Sequence, residues 1–292
     1  MSVWLTGWTL SISLWEQVQL ILNIIILTCM LLLQIAVNYF NDALDFKRDR
    51  DTTERLGPPR MVQSQKIQAD SLINISYLIL FLASLAGIYL VIKGGVFIFL
   101  IGLTALGMTY FYSAPPIALA DRGLSEIFVF LFFGVLTVSS ICHLNIAYFS
   151  DTISFFYFYP IFIQEIDAIL IAGSQMGFLS ISPLIINHLR DHQEDEKSGK
   201  KTWVVRKGRK FGLIQWLTCI LFAYLLGVYW ILTNPYFIAG VLPLLVLPVH
   251  IYIFQKIVRE KPSKKYNTYL ALSSFGQFFF SIALSLGYYL SL

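Results

Sequence analysis

Residues 20–51 read LILNIIILTCMLLLQIAVNYFNDALDFKRDRD, a long apolar run that ends in a dense group of carboxylates. A helix needs about 20 apolar residues to cross a bilayer, and the first part of this stretch supplies them. Four aspartates then fall within ten positions, at Asp42, Asp45, Asp49 and Asp51. The stretch therefore predicts a membrane-spanning helix with a charged site at one end.

The composition extends this prediction to the whole chain. Of the 292 residues, 57% are hydrophobic and only 13% are charged, whereas an ordinary soluble domain carries about 25% charged residues. The alternating ten-residue strands of a membrane β-barrel are not seen in the sequence. Apolar runs of helix length predict spans near 17–41, 71–92, 94–113, 123–146, 163–188, 212–232, 235–255 and 267–291.

We therefore predict an all-α polytopic membrane protein with eight transmembrane helices. Residues 1–14 are apolar but too short for a full crossing, and they predict a short or partial N-terminal helix, or an interfacial one. The three cysteines are far apart in apolar segments, which is not the spacing of a zinc site or of a disulfide framework.

The charges predict the orientation. Of the 21 lysines and arginines, twenty fall on the loops of one predicted side and only Lys93 falls on the other. Positively charged loops stay on the cytoplasmic side of a membrane. We expect a multi-pass protein of the cell inner (cytoplasmic) membrane, with both acidic clusters facing the cytoplasm.

The first acidic cluster follows a helical spacing. Asp42, Asp45 and Asp49 stand at i, i+3 and i+7, so a helix that continues through them places all three within about 60° of one face. Asn38 shares that face, whereas Asp51 points away from it. Like charges at these spacings destabilise a helix, so we expect a positive partner among them.

The second cluster lies in IINHLRDHQEDEKSGKKT, residues 185–202. Asn187, Asp191 and Asp195 recur every four residues and span about 80° of a helical face. Either cluster alone is explained by a solvated helix end, but both end on the same predicted side and can face each other. Paired oxygen ligands with room for phosphate suit Mg²⁺, whereas zinc prefers Cys and His. The two clusters predict two Mg²⁺ ions around one diphosphate.

These residues resemble a known family. NDALDFKRD (41–49) is similar to the first motif, N-D-x-x-D-x-x-x-D, of the UbiA superfamily of intramembrane prenyltransferases, and Asp191-x-x-x-Asp195 is similar to its second. Within that superfamily the chain most resembles the 1,4-dihydroxy-2-naphthoate polyprenyltransferases of menaquinone synthesis. The stretches that carry this likeness are ERLGPPRMVQS (54–64), RGLSEIFVFLFFG (122–134) and NHLRDHQEDEKSGKKTWVVRKG (187–208). The short N-terminal helix departs from the family pattern, as does His188 where an asparagine is common.

The resemblance implies that residues 1–292 form a single intramembrane prenyltransferase domain. Such a domain transfers a polyprenyl group from polyprenyl diphosphate to an aromatic acid, here 1,4-dihydroxy-2-naphthoate, with loss of CO₂ to give demethylmenaquinol. It implies that two Mg²⁺ ions are held by Asp42, Asp45, Asp49, Asp191 and Asp195. It implies that substrate is bound by Asn38, Asn41, Arg60, Tyr112, Arg122, Asn187, Arg190, Lys200 and Lys201.

Arg122 and two further residues have specific expected roles. Arg122 is expected to bind the carboxylate of the acceptor, and Glu126, one turn later, to pair with Arg122. His143 lies inside a predicted span and is expected to be structural.

The sequence is also compatible with other functions. Within the family, the acceptor could be 4-hydroxybenzoate, homogentisate or chlorophyllide. A cation-coupled transporter also uses carboxylates in a helical bundle, although its ion site lies near the middle of the membrane. A non-catalytic subunit that binds isoprenoid lipid is the third alternative.

Overall fold

A computed structural model describes residues 1–48, 50, 55–150, 163–233 and 236–291. Within these residues all regular structure is helical. The helices are α1 (Ser2–Trp15), α2 (Leu20–Lys47), α3 (Ala69–Phe111), α4 (Leu119–Arg122), α5 (Ser125–Phe130), α6 (Leu136–Phe149), α7 (Ile166–Lys197), α8 (Trp203–Leu225), α9 (Gly227–Leu232), α10 (Phe237–Val241), α11 (Leu247–Arg259) and α12 (Tyr266–Tyr289). A π-helical turn at Leu131–Val135 joins α5 to α6, and a 3-10 turn at Leu242–Val246 joins α10 to α11.

Seven helical segments of the described chain are long and apolar enough to cross a membrane, which confirms the polytopic helical architecture. The prediction of eight spans differs because α3 joins two of them. Its 43 residues would reach about 64 Å as a straight helix, roughly twice the hydrocarbon thickness. Gly95 breaks it, with φ 63° and ψ −153°. The rings of Tyr77 and Tyr110 then lie 6.2 Å apart, so the two halves of α3 form a hairpin.

The N-terminal helix α1 is short, as predicted, and one of its faces packs on the rest of the bundle. Val3 and Leu10 are buried in the main hydrophobic core together with residues of α6, α7 and α12. A Cβ atom on Gly7 would approach Ile141 to 2.9 Å, which shows how closely α1 packs on α6. Thr9 Oγ1 also donates a hydrogen bond to Ser285 Oγ in α12 at 2.9 Å. Because its buried residues find partners in three other helices, α1 packs against the bundle.

Helix α7 passes through the centre of the bundle and is the most buried of the seven segments. Its small residues allow close packing, since a Cβ on Gly134 of the π-helical turn would lie 2.4 Å from Gly177 Cα. Asp191 and Asp195 occupy the end of this helix, so the rigid centre of the fold positions the second acidic cluster.

The loops that follow α2, α3 and α7 meet at one end of the bundle. A guanidinium nitrogen of Arg48 donates to the carbonyl of Ser113, and the amide of Lys201 donates to the carbonyl of Asp121. These contacts join three loops that are far apart in sequence. The ends of α2 and α7 that carry the acidic clusters therefore lie side by side.

Candidate active site

Of the first cluster's carboxylates that the structure describes, Asp45 is the most enclosed, with 2% of its surface exposed. Arg60 donates to its Oδ2 at 2.9 Å, and Arg50 lies 3.8 Å from its Oδ1. The cations compensate the charge of a carboxylate that would otherwise be costly to bury. A positive partner was expected here on electrostatic grounds, and these contacts supply it.

The two acidic clusters converge through Lys200. Its Nζ lies 3.2 Å from Asp45 Oδ2 and 3.7 Å from Asp195 Oδ1. Asp195 is itself buried, with 7% of its surface exposed. One ammonium group therefore stands between a carboxylate of α2 and a carboxylate of α7.

Asp42 anchors the loop that follows α2. Its two carboxylate oxygens accept hydrogen bonds from the backbone N–H groups of Met61, at 2.9 Å, and Val62, at 3.4 Å. Arg60, the residue before, also donates to the carbonyl of Asn41 at 3.1 Å. The 55–62 loop is thus fixed against the end of α2. Asp49, the third predicted ligand of this cluster, lies outside the described residues, as does Asp51.

Asp191 is held by its neighbour Arg190. The guanidinium donates from Nε to Asp191 Oδ1 and from Nη2 to Oδ2, both at 2.6 Å. It also donates to the side-chain oxygens of Asn187 and Asn267. Arg190 is 3% exposed. The sequence allowed two roles for Arg190, binding phosphate oxygens or orienting the ligands, and its contacts with Asp191 and Asn187 fit the second.

A second ion-pair network, which the sequence analysis did not single out, borders the site. Asp121 pairs with Arg48 at 3.0 Å and with Arg50 at 2.5 Å. Both arginines belong to the same short stretch as the first aspartate cluster. The sequence could not predict their partner. Asp121 is about seventy positions away, and it reaches the arginines only because the segments after α2 and α3 pack together.

Two cavities meet these residues. A small polar cavity of about 20 Å³, room for a single water molecule, is lined by Arg50, Arg55, Arg60, Asp191, Glu194, Asp195, Ser198 and Lys200. A large cavity of about 830 Å³ runs along α2 from Ile26 to Asn41, which is about 22 Å of helix. The described residues that line it include no charged side chain.

Three predicted residues lie at the end of the large cavity nearest the acids: Asn38, Asn41 and Tyr112. Tyr112 is part of an aromatic wall that also contains Phe128 and Phe132. The ring centroids of Tyr112 and Phe128 lie 5.8 Å apart, and those of Phe128 and Phe132 lie 4.5 Å apart. Desolvation, with a further contribution from Glu126, raises the pKa of Tyr112, so its phenol is neutral at physiological pH.

Arg122 and Lys201 do not line either cavity. Both are exposed, and Arg122 donates from its guanidinium to the carbonyl of Pro116. The expected pairing of Glu126 with Arg122 is wrong. Glu126 accepts instead from His188 Nδ1 at 3.2 Å, and both side chains are buried. A sequence cannot reveal this pair, because the two residues approach only when α5 packs on α7.

His143 is fully buried, and its Nε2 lies 2.9 Å from the carbonyl of Gly94. It is far in sequence from both acidic clusters and contacts the backbone beside the turn within α3. Its contacts fit the structural role that the sequence analysis gave it.

The donor atoms at this site fit Mg²⁺. They are carboxylate and amide oxygens, which this ion prefers. The carboxylates of Asp45 and Asp195 already lie on either side of the Lys200 ammonium group. Among the described residues no group of three His, Cys, Asp or Glu side chains is close enough to form a metal site by itself.

Comparisons with known proteins identify relatives of this chain. Two curated relatives are named 1,4-dihydroxy-2-naphthoate octaprenyltransferase. That of Bacillus subtilis is 28% identical over 66% of this chain and 57% of its own length, and that of Haemophilus influenzae is 29% identical over 70% and 64%. The matched region thus spans less than two thirds of each relative.

Solved structures share the fold. A UbiA homologue from Archaeoglobus fulgidus, bound to DMAPP and Mg²⁺, superposes with a TM-score of 0.62 at 17% identity, covering 98% of this chain and 96% of the homologue. A digeranylgeranylglyceryl phosphate synthase superposes with a TM-score of 0.54 at 16% identity, covering 99% and 92%. The sequence profile of the UbiA prenyltransferase family matches residues 2–282. With nearly its whole length matched and the fold shared, the chain belongs to the UbiA prenyltransferase family.

Proposed function

We propose that this protein transfers a polyprenyl group from polyprenyl diphosphate to an aromatic acid, as a single domain over residues 1–292. The observation that carries the proposal is that a charged site and a long cavity without charged side chains meet at one end of the bundle. The carboxylates of Asp45 and Asp195 meet at Lys200, and a long uncharged cavity ends beside them at Asn41 and Tyr112. A lipid with a diphosphate head requires this combination.

The acceptor that we propose is 1,4-dihydroxy-2-naphthoate, with demethylmenaquinol as the product. The names of the Bacillus subtilis and Haemophilus influenzae relatives support this choice, as do the RGLSE and NHLRD stretches. The end-of-helix position of the acids and the family membership favour a transferase over a cation-coupled transporter.

The diphosphate is proposed to bind between α2 and α7. Asp42, Asp45, Asp49, Asp191 and Asp195 would hold Mg²⁺, which supplies neutralisation of the diphosphate and stabilises it as it leaves. Asn41 and Asn187 support these carboxylates. Arg60 and Lys200 already face the acids, so they can turn toward phosphate oxygens when the head group arrives. Arg190 acts through Asp191.

The prenyl chain is proposed to lie in the large cavity, with C1 beside Tyr112. The bond from C1 to the diphosphate oxygen breaks, and the oxygen keeps the electron pair. The aromatic wall faces the allylic cation that forms, and neutral aromatic rings stabilise cations without being alkylated readily. The lining is mostly apolar, which disfavours water beside the cation.

The acceptor ring then forms the new bond to C1 through the carbon that carries its carboxylate. Loss of CO₂ from that carbon returns the C–C electron pair to the ring and restores its aromaticity. Because this step releases no proton from carbon, it requires no strong buried base. The proposed chemistry therefore fits a site whose carboxylates pair with cations and are not needed as a base.

The test uses purified protein in lipid with Mg²⁺, a labelled polyprenyl diphosphate and three acceptors: 1,4-dihydroxy-2-naphthoate, 4-hydroxybenzoate and homogentisate. We expect prenylated naphthoquinol and release of CO₂, both abolished by EDTA. Asp42→Asn and Asp191→Asn should each lower the transfer rate at least 100-fold. A product from 4-hydroxybenzoate alone would change the acceptor, and no transfer by folded protein to any acceptor would refute the proposed function.

A further inference from the structure

Asn267, near the start of α12, connects two parts of the site that are remote from it in sequence. Its Oδ1 accepts a hydrogen bond from Arg190 Nη1 at 2.5 Å. Its Nδ2 donates to the carbonyl of Leu56 at 3.0 Å. Both polar atoms of this side-chain amide are thus used. Its oxygen bonds to the second acidic cluster, and its nitrogen bonds to the loop that follows the first acidic cluster.

Arg190, the partner of the Asn267 oxygen, makes its other hydrogen bonds within the site. Besides donating to Asn267, the Arg190 guanidinium donates to the side chains of Asn187 and Asp191, which lie on α7 as Arg190 does. A buried guanidinium with five directed donors fixes the orientation of its acceptors. Asn267 accepts the hydrogen bond from Nη1 of Arg190. It therefore completes the set of hydrogen bonds that holds Arg190, and through it Asp191, in place.

The partner of the Asn267 nitrogen is the 55–62 loop. Leu56 lies at the start of the loop, whereas Arg60, Met61 and Val62 bind the end of α2 through Asp45 and Asp42. The loop is therefore held at both ends, by α2 at one and by Asn267 at the other. It bridges the two acidic clusters.

Gly57 shows how closely the loop approaches Arg190. A Cβ atom at this position would lie 2.8 Å from Arg190 Nη2 and 2.9 Å from Arg55 Nε. A side chain here would displace the guanidinium or the loop. The close approach at Gly57 is a second contact between the loop and the guanidinium that Asn267 binds.

From these contacts we infer that Asn267 is a positioning residue that fixes the 55–62 loop and Arg190 in one arrangement for binding the prenyl diphosphate head. This inference rests on the proposed function for its ligand. Asn267 itself touches Arg190 and Leu56, and it acts on the substrate through Arg60 and Asp191.

The test separates the two hydrogen bonds of the amide. Asn267→Asp keeps an acceptor for Arg190 but loses the donor to Leu56, whereas Asn267→Ala loses both. Thr268→Ala, at the exposed neighbouring position, is the matched control. Hydrogen–deuterium exchange is followed in the peptide that contains Met61 and Val62, whose amides donate to Asp42, and kcat and KM for the prenyl diphosphate are measured in lipid.

We expect Asn267→Asp to accelerate exchange of that peptide about fivefold, the factor that corresponds to one net hydrogen bond. KM for the prenyl diphosphate should rise by a similar factor, with kcat changed less than twofold. Thr268→Ala should leave all three unchanged. In a double-mutant cycle, Gly57→Ala and Asn267→Asp should together have less than the product of their separate effects, because they disturb the same contact.

Unchanged exchange in Asn267→Asp would overturn the inference, and so would faster exchange with an unchanged KM. If Asn267→Ala fails to fold, the Asp variant still decides the question. Wild-type protein that transfers no prenyl group would refute the proposed function, whereas the exchange experiment would still report on the loop.

Discussion

The ammonium nitrogen of Lys200 lies 3.2 Å from Oδ2 of Asp45, although 155 positions separate the two residues. The same nitrogen lies 3.7 Å from Asp195 Oδ1. Lys200 therefore neutralises two buried carboxylates at the place where a divalent ion is proposed to act. Leaving buried charge unpaired is strongly unfavourable, which leads to a prediction that does not depend on catalysis.

Lys200→Met should lower the stability of the Mg²⁺-free protein by about 2 kcal/mol, which corresponds to a fall in Tm of roughly 5 °C for a chain of this size. The loss is moderate because Arg60 still pairs with Asp45. Addition of Mg²⁺ should raise the Tm of the variant more than that of the wild type, since the ion replaces the missing cation. The measurement is thermal unfolding in detergent.

Lys201→Met is the control for that experiment. Lys201 is the adjacent residue and is exposed, and its backbone amide, rather than its ammonium, makes the contact with Asp121. Its Tm should stay within about 1 °C of the wild type, as for most surface substitutions. Equal losses in the two variants, or no response of Lys200→Met to Mg²⁺, would show that Lys200 does not stand in the cation position.

The large cavity leads to a prediction about chain length. Gly102 lines it, and a Cβ atom on Gly102 meets nothing within 4 Å. Gly102→Leu should therefore fill part of the cavity without steric cost to the fold. Transfer from a diphosphate with eight isoprene units should fall at least tenfold, while transfer from a two-unit substrate should change less than threefold. Both are measured as kcat/KM.

Gly107→Leu is the matched control on the same helix. A Cβ there also meets nothing within 4 Å, but Gly107 is not among the residues that line the cavity. It should leave the preference for long over short substrates unchanged. A similar loss for long chains in both variants would argue against this cavity as the path of the prenyl chain.

The aromatic wall gives a separate prediction. Tyr112→Phe keeps the ring and should change kcat/KM less than threefold, whereas Tyr112→Leu should lower it roughly 30-fold, which corresponds to about 2 kcal/mol of cation–π stabilisation. Since the pKa of Tyr112 is raised, the phenol stays neutral, and Tyr112→Phe should not alter the pH–rate profile between pH 6 and 9. An altered profile would instead assign the hydroxyl a role in proton transfer.

How far the sequence could predict this structure depends on the range of the contacts. The spacing of Asp42 and Asp45, and of Asp191 and Asp195, is local to one helix, so periodicity was sufficient to recognise two acidic faces. The spans also follow from local apolar length. The hairpin within α3 depends on Gly95, and the predicted spans 71–92 and 94–113 are divided at residue 93, two positions before it.

Contacts between distant segments could not be predicted in the same way. Asn267 is one of several polar residues at the start of an apolar helix, and nothing nearby in the sequence distinguishes it as part of the site. Arg122 matched a family stretch, yet its guanidinium contacts Pro116. In both cases the packing of one helix on another decides which polar group reaches the site, and this information is not contained in residue spacing.

The buried pair of Glu126 and His188 leads to the last prediction. Glu126 Oε1 lies 3.2 Å from His188 Nδ1, and Ser125 Oγ donates to Glu126 Oε2 at 3.2 Å. Removing one partner of a buried polar pair leaves the other unsatisfied, so Glu126→Ala should destabilise the protein by about 3 kcal/mol. Glu126→Gln keeps an acceptor for the imidazole and should cost about 1 kcal/mol.

A double-mutant cycle measured by thermal unfolding distinguishes the pair from its separate residues. Glu126→Ala combined with His188→Ala should cost less than the sum of the two single changes, because the second substitution removes a group that the first has already left unpaired. Strictly additive losses would mean that the two side chains do not interact. Since Glu126 belongs to α5 and His188 to α7, a measured coupling would also establish that α5 is fixed on the helix that carries Asp191.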